Sequence, residues 1–62
     1  MERVIGAPTM LQNAPADDAE TLRALATNEP FAMLDDSLGW AWGYAGRDRR
    51  VGYVRSETLA AQ

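Results

Sequence analysis

Residues 39–45 constrain the fold of this chain more than any other stretch. They contain both tryptophans and one of the two tyrosines, and these large rings alternate with alanine and glycine. Alternation with a period of two is typical of a β-strand, in which successive side chains point to opposite faces. The stretch therefore predicts a strand with one bulky face and one nearly bare face.

A second alternating run, at residues 51–55, follows this strand after a short polar loop that contains Gly46. Two such runs joined by a short loop with glycine predict a β-hairpin. We expect the rest of the chain to pack against this hairpin, and the function to depend on which of its faces points outward.

Shorter apolar runs and turn signals divide the rest of the chain at intervals of about ten residues. The other expected strands are residues 4–5 at an edge, residues 9–12, and residues 30–34 with Phe31 and Met33 on one face. The expected connections are a loop at 13–20, a tight polar turn at 35–39, a turn at 56–59 ending in an apolar Leu59, and a frayed end at 60–62.

Residues 20–28 fit two interpretations. Leu22, Leu25 and Ala26 have helical spacing, and alanine, leucine and arginine are good helix formers. The same segment is too short for a stable isolated helix, and residues 21–25 alternate as a strand would. From the residues alone, helix and strand are about equally favoured.

The short strands predict an all-β fold, a small barrel of antiparallel strands. A chain of 62 residues is one domain at most. We expect residues 1–62 to form a single domain, with its core at about 8–59, excised from a longer multidomain chain.

The composition excludes several kinds of chemistry. The chain has no cysteine and no histidine, which removes a Cys–His or Ser–His nucleophilic pair and an ordinary zinc site. The adjacent carboxylates at 17–18 and 35–36 suit turn geometry, and no third metal ligand accompanies them. We therefore expect no enzyme activity, no metal and no cofactor. The net charge of −3 argues against nucleic acid as a partner, and no apolar run is long enough to span a membrane.

Several short motifs, taken in order, resemble a bacterial SH3 domain (SH3b). They are residues 11–15 (Leu-Gln-Asn-Ala-Pro), Leu22 and Leu25, residues 28–31 (Asn-Glu-Pro-Phe), residues 39–42 (Gly-Trp-Ala-Trp) and residues 51–54 (Val-Gly-Tyr-Val). The chain is most similar to the N-terminal SH3 domain of NlpC/P60 cysteine peptidases, which cut peptidoglycan stem peptides.

This resemblance implies an SH3-like barrel of five to six strands, with a strand at residues 21–25. It also names three connections. They are the RT-type loop at 13–20, the n-Src-type loop at 35–39 and the distal hairpin at 46–50.

The chain departs from its SH3 relatives at two places. Bacterial SH3 domains usually have Lys-Gly before the third strand, where this chain has Asn28 and Glu29. Eukaryotic relatives carry a Pro-x-x-Tyr motif where this chain has Arg55 and Thr58. Because Pro-rich peptides bind between aromatic rings in that groove, we do not expect recognition of PxxP ligands.

The residues alone do not decide which face of the hairpin is buried. Aromatic bulk favours Trp40, Trp42 and Tyr44 as the core. The resemblance implies the reverse, with Ala41 and Gly43 inward and the rings outward. The interior would then be filled by Leu11, Leu22, Phe31 or Met33, and Val54. We favour this second arrangement.

An outward aromatic face predicts a binding surface, because tryptophan and tyrosine dominate such contacts. We expect the ligand to contact Trp40, Trp42 and Tyr53, with Tyr44 on the same surface, beside an acidic rim formed by Asp17, Asp18 and Asp36. Such a rim favours a cationic group, for example an amino group of a peptide.

Two functions fit this surface. In the first, a noncatalytic module of an NlpC/P60-type cell-wall peptidase contacts the peptidoglycan stem peptide or its own catalytic domain. In the alternative, a protein–protein adaptor binds a peptide in the same groove.

Overall fold

The computed structural model describes residues 2–61, which form a single antiparallel sheet that curls around a small core. The order of the strands across the sheet is β3-β2-β6-β5-β4-β1-β7. The strands are β1 (Glu2–Ile5), β2 (Thr9–Gln12), β3 (Thr21–Leu25), β4 (Pro30–Ser37), β5 (Trp40–Ala45), β6 (Arg50–Arg55) and β7 (Leu59–Ala61). A 3-10 turn, Ser56–Thr58, joins β6 to β7. The predicted all-β, SH3-like barrel is confirmed, and residues 21–25 are a strand, not a helix.

The aromatic hairpin lies in the middle of this sheet. β5 pairs with β6, so that Trp42 is opposite Tyr53 and Ala41 is opposite Val54. Along β5 the small residues are buried, whereas the Trp40 ring is half-buried and the Trp42 and Tyr44 rings are more than a third exposed. The arrangement with alanine and glycine inward is therefore confirmed.

Seven buried apolar side chains form the core, with at least one from each of the six strands β1 to β6. They are Ile5, Leu11, Leu25, Phe31, Ala41, Ala45 and Val54, and Leu22, Met33 and Leu59 pack against them. The expected interior residues all lie in or against this core. Ile5 and Leu25 are core residues that the sequence did not single out.

Gly43 allows β4 and β5 to approach closely at the centre of the sheet. A Cβ atom at this position would overlap the carbonyl oxygen of Ala32 and lie 2.9 Å from the Cα of Met33. Since both are backbone atoms, they cannot rotate away. The bare face of the central strand is therefore a steric requirement of this packing.

The prediction of a polar turn at residues 35–39 is wrong in its bounds, because the observed turn is shorter. β4 continues through Asp35 and Asp36 to Ser37, and the turn contains only Leu38 and Gly39. Both turn residues have positive φ, 55° and 83°, as the tight type I′ turn of two-residue hairpins requires. The Asp35 and Asp36 carboxylates, expected in the turn, lie on a strand with solvent-exposed side chains.

The expectations for the two ends of the chain also need correction. β1 is not an edge strand, because it lies between β4 and β7. Residues 60 and 61 do not fray, since they belong to β7 and pair with Val4 and Arg3. Gln62 lies outside the described residues. β7 was not expected as a strand, and it raises the count to seven, above the five to six expected. Among residues 2–61, no helix is long and apolar enough to cross a membrane.

Candidate functional site

A groove of about 270 Å³ lies on the outer face of the sheet, between the RT-type loop and the β4–β5 turn. We call it the aromatic groove. Its lining residues are Pro15, Asp35, Ser37, Leu38, Trp40, Trp42 and Tyr53. The three aromatic residues expected at a binding site therefore lie together.

The register of the hairpins explains why these residues meet. Trp42 is opposite Tyr53 on one side and opposite Asp35 on the other, and Trp40 is opposite Ser37. Side chains directly opposite each other in an antiparallel pair point to the same face of the sheet. The floor of the groove is thus a product of strand pairing among β4, β5 and β6.

Trp42 and Tyr53 form a pair of neighbouring rings in the groove. Their centroids are 6.5 Å apart and their planes are tilted by 30°, within the range of favourable aromatic pairs. Trp42 is 39% exposed, and Tyr53 is half-buried. The pair presents apolar ring surface to a ligand.

Trp40 is half-buried, and a cationic side chain lies over its ring. The Arg55 guanidinium lies 4.6 Å from the ring centroid, a cation–π contact. The same guanidinium donates a hydrogen bond to the Asp17 carboxylate in the RT-type loop. Trp40 therefore joins the groove to an ion pair at its edge.

The expected acidic rim is only partly formed. Asp17 is paired with Arg55, which compensates its charge. Asp18 is exposed and does not line the groove. Asp36 is opposite Ala41, on the other face of β4, where its carboxylate accepts a 2.5 Å hydrogen bond from the Ser56 hydroxyl.

Asp35 is the carboxylate that lines the groove. It lies opposite Trp42 and forms no ion pair with any residue in the described part of the chain. Sequence reasoning assigned Asp35 to the expected turn at 35–39 and did not select it as a site residue. The register of β4 shifts between Met33 and Asp35, so Asp35 lies on the outer face, although strict alternation from Phe31 and Met33 would place it on the inner face. No local pattern in the sequence predicts this shift.

Tyr44 shares the outer face but lies outside the groove. Its ring carries the Arg49 guanidinium, 5.0 Å from the centroid. Arg47, Arg49 and Arg50 surround this end of the hairpin, so these three arginines are at the end of β5 remote from Trp40, whereas Arg55 is at the Trp40 end. The outer face is thus divided into a groove with carboxylates nearby and a basic tip.

Pro15, Ser37 and Leu38 line the groove although the sequence did not point to them. Leu38 is 97% exposed at the tip of the β4–β5 turn, and Pro15 belongs to the RT-type loop. Their positions depend on which segments meet in space, for which a single sequence carries no local signal. Within residues 2–61, no group of three acidic side chains is placed to hold a metal ion.

The curled sheet and the aromatic groove between two connections define a small SH3-like binding module. A family model of the bacterial dipeptidyl-peptidase SH3 domain matches residues 11–59, most of the chain. The chain therefore belongs to this family of bacterial SH3 domains, which are noncatalytic modules. No curated protein and no solved structure gives a significant match.

Proposed function

We propose that this domain is the noncatalytic SH3 module of an NlpC/P60-type cell-wall peptidase and binds peptidoglycan stem peptide in the aromatic groove. The observation that carries the proposal is the exposed ring surface of Trp40, Trp42 and Tyr53 in one groove of a bacterial SH3 domain. The description of the family, from dipeptidyl-peptidases, supports a peptidase as the parent protein.

The size and chemistry of the groove suit a short peptide. Its volume of about 270 Å³ lies just below the roughly 300–1,000 Å³ of sites for drug-sized ligands. The rings offer apolar stacking, and Ser37 offers a hydroxyl. The unpaired Asp35 carboxylate can accept hydrogen bonds from an amino group of the peptide.

Titration of the tryptophan fluorescence with soluble muropeptides tests the proposal. Both tryptophans line the groove, so binding should change their emission. Trp40→Ala should abolish the response, and because the ring is half-buried it should lower the free energy of unfolding by only about 1–2 kcal/mol.

Tyr44→Ala is the matched control, since it removes a ring from the same strand and face but outside the groove. This variant should keep the affinity of the wild type. The absence of any response in the wild type, together with no retention on isolated sacculi, would contradict direct binding to the wall.

Docking of the parent chain's catalytic domain onto the same face is a second candidate, favoured by Leu38. A leucine side chain that is 97% exposed beside a groove suits an apolar contact with another domain. Chemical cross-links from Ser37 or Leu38 positions to the catalytic domain in the full-length parent would support docking. Cross-links confined to added wall peptide would contradict it.

A further inference from the structure

Arg55 is the last residue of β6 and lies at the Trp40 end of the aromatic groove. It contacts the Trp40 ring and the Asp17 carboxylate at once. Trp40 lines the groove, whereas Asp17 does not. A fixed cation is therefore present at the edge of the groove, next to one of its walls.

We propose that Arg55 forms a carboxylate-binding subsite, in which a carboxylate of the peptide ligand replaces that of Asp17. This inference rests on the proposed function, because the ligand is a peptide in the same groove. A guanidinium has five N–H donors in a planar fork that fits a carboxylate through two hydrogen bonds. The hydrogen bond to Asp17 uses one of these donors.

The ion pair with Asp17 is easily exchanged. The side chains of Arg55 and Asp17 are 40% and 76% exposed, and ion pairs as exposed as this contribute little to stability. A ligand carboxylate therefore meets little resistance when it takes the place of Asp17.

Arg55 remains in position when Asp17 leaves. Its guanidinium is held on the Trp40 ring, and its backbone carbonyl accepts a 2.6 Å hydrogen bond from the Thr58 hydroxyl. The RT-type loop keeps its own anchors, because the Gln12 amide donates to the carbonyls of Asp17 and Ala19, each at 3.3 Å. The exchange thus changes a side-chain contact without unfolding the loop.

The subsite gives the groove two charges of opposite sign. Arg55 lies beside Trp40, and Asp35 lies opposite Trp42, two residues farther along β5. Arg55 is on β6 and Asp35 is on β4, with β5 between them. Two residues along the strands and two strand spacings across them separate the two backbones by about 12 Å, which is the length of three to four residues of an extended peptide. The groove therefore suits a short peptide with its amino group near Asp35 and a carboxylate near Arg55.

Two forms of one probe test the subsite: a soluble stem peptide with free carboxylates, and the same peptide with its carboxylates amidated. The wild type should bind the free form at least about threefold more tightly, as expected for an exposed charge pair. Arg55→Gln should remove this preference and leave the affinity for the amidated form unchanged. Asp17→Asn should increase the preference, because the competing carboxylate is gone.

Matched controls lie next to each test position. Arg50→Gln removes an exposed arginine at the other end of β6, and Asp18→Asn removes the carboxylate adjacent to Asp17. Both should leave the preference for the free form unchanged. Equal affinity of the wild type for both forms overturns the subsite but leaves the proposed function standing, whereas binding of neither form overturns both.

Discussion

Gly43 is the residue at which the packing of the sheet is least tolerant. A Cβ atom there would overlap the backbone of β4, whereas a Cβ at Gly39 has nothing within 4 Å. Gly39 and Gly43 therefore have different physical roles. Gly43 is needed for space, and Gly39 is needed for its φ of 83°.

We expect Gly43→Ala to destabilise the domain by about 3 kcal/mol or more, because backbone atoms must move to admit the methyl group. Gly39→Ala should lower stability by only about 1–2 kcal/mol, the strain of a left-handed alanine. Urea unfolding followed by tryptophan fluorescence measures both. Equal effects of the two substitutions would contradict the steric account of Gly43.

The two-residue turn between β4 and β5 is an element in which stability and function oppose each other. Leu38 has a φ of 55°, a conformation that asparagine and glycine adopt far more readily than leucine. Its side chain is almost fully exposed and lines the aromatic groove. An unfavourable residue that gains no burial suggests a role in binding.

Leu38→Asn should therefore stabilise the hairpin by about 1 kcal/mol, through relief of left-handed strain. The same substitution should weaken binding in the groove, since an apolar contact is lost. The midpoint of thermal unfolding and a muropeptide titration measure the two effects. A lower midpoint would show that Leu38 makes a stabilising contact.

Arg23 on β3 connects three separate elements of the fold. Its guanidinium donates 2.6 Å hydrogen bonds to Glu29, just before β4, and to Asp48 in the distal hairpin. Glu29 also accepts a 2.7 Å hydrogen bond from the Ala26 amide. The side chain of Glu29 is 23% exposed, compared with 56% for Asp48.

We expect Glu29→Gln to destabilise the domain more than Asp48→Asn, by about 1–2 kcal/mol against less than about 1 kcal/mol. The Glu29 carboxylate is better shielded from water than that of Asp48. It also holds the connection between β3 and β4 through its hydrogen bond from the Ala26 amide. Urea unfolding at low and high salt distinguishes them, with the Asp48 effect the more reduced by salt. A larger effect of Asp48→Asn would reverse this ranking.

The elements that the sequence predicted well are those with strong alternation. Residues 39–45 and 51–55 have a period of two, and the structure has strands at 40–45 and 50–55. Alternation does not say which face is inward, because both a ring and an alanine can be buried. Here the resemblance to bacterial SH3 domains supplied the direction.

The parts that sequence reasoning missed depend on contacts between distant segments. Asp35 and Asp36 favour turns locally, yet pairing with β5 extends β4 through them. Likewise, the Arg55–Asp17 pair joins residues 38 positions apart. Such contacts arise from the curvature of the sheet, which a single sequence does not encode in any local pattern.

At the scale of the whole molecule, the domain is small enough that every strand contributes to stability. A folded chain of 62 residues has a free energy of unfolding of about 3–9 kcal/mol. Ile5 is completely buried and comes from β1, which lies before the region that the family model matches. The core is thus completed by a strand outside that region.

We expect a chain of residues 11–59 alone to remain unfolded, although it contains the whole family match and the whole groove. It lacks β1, Ile5 and most of β7, so β4 would lose one of its two neighbouring strands and the core would open to water. In the full chain, Ile5→Ala should lower stability by about 2–5 kcal/mol, which approaches the total.

Circular dichroism and urea unfolding of the shortened chain measure this dependence. A cooperative transition with the stability of the full chain would show that β1 and β7 are dispensable additions. Loss of the cooperative transition in the shortened chain would show that β1 has a structural role. In the full chain, Ile5→Val should then lower the free energy of unfolding by only about 1 kcal/mol. Any binding study of the groove would then require residues 2–61, because the groove floor is formed by β4, β5 and β6, and β1 supports β4 from the other side.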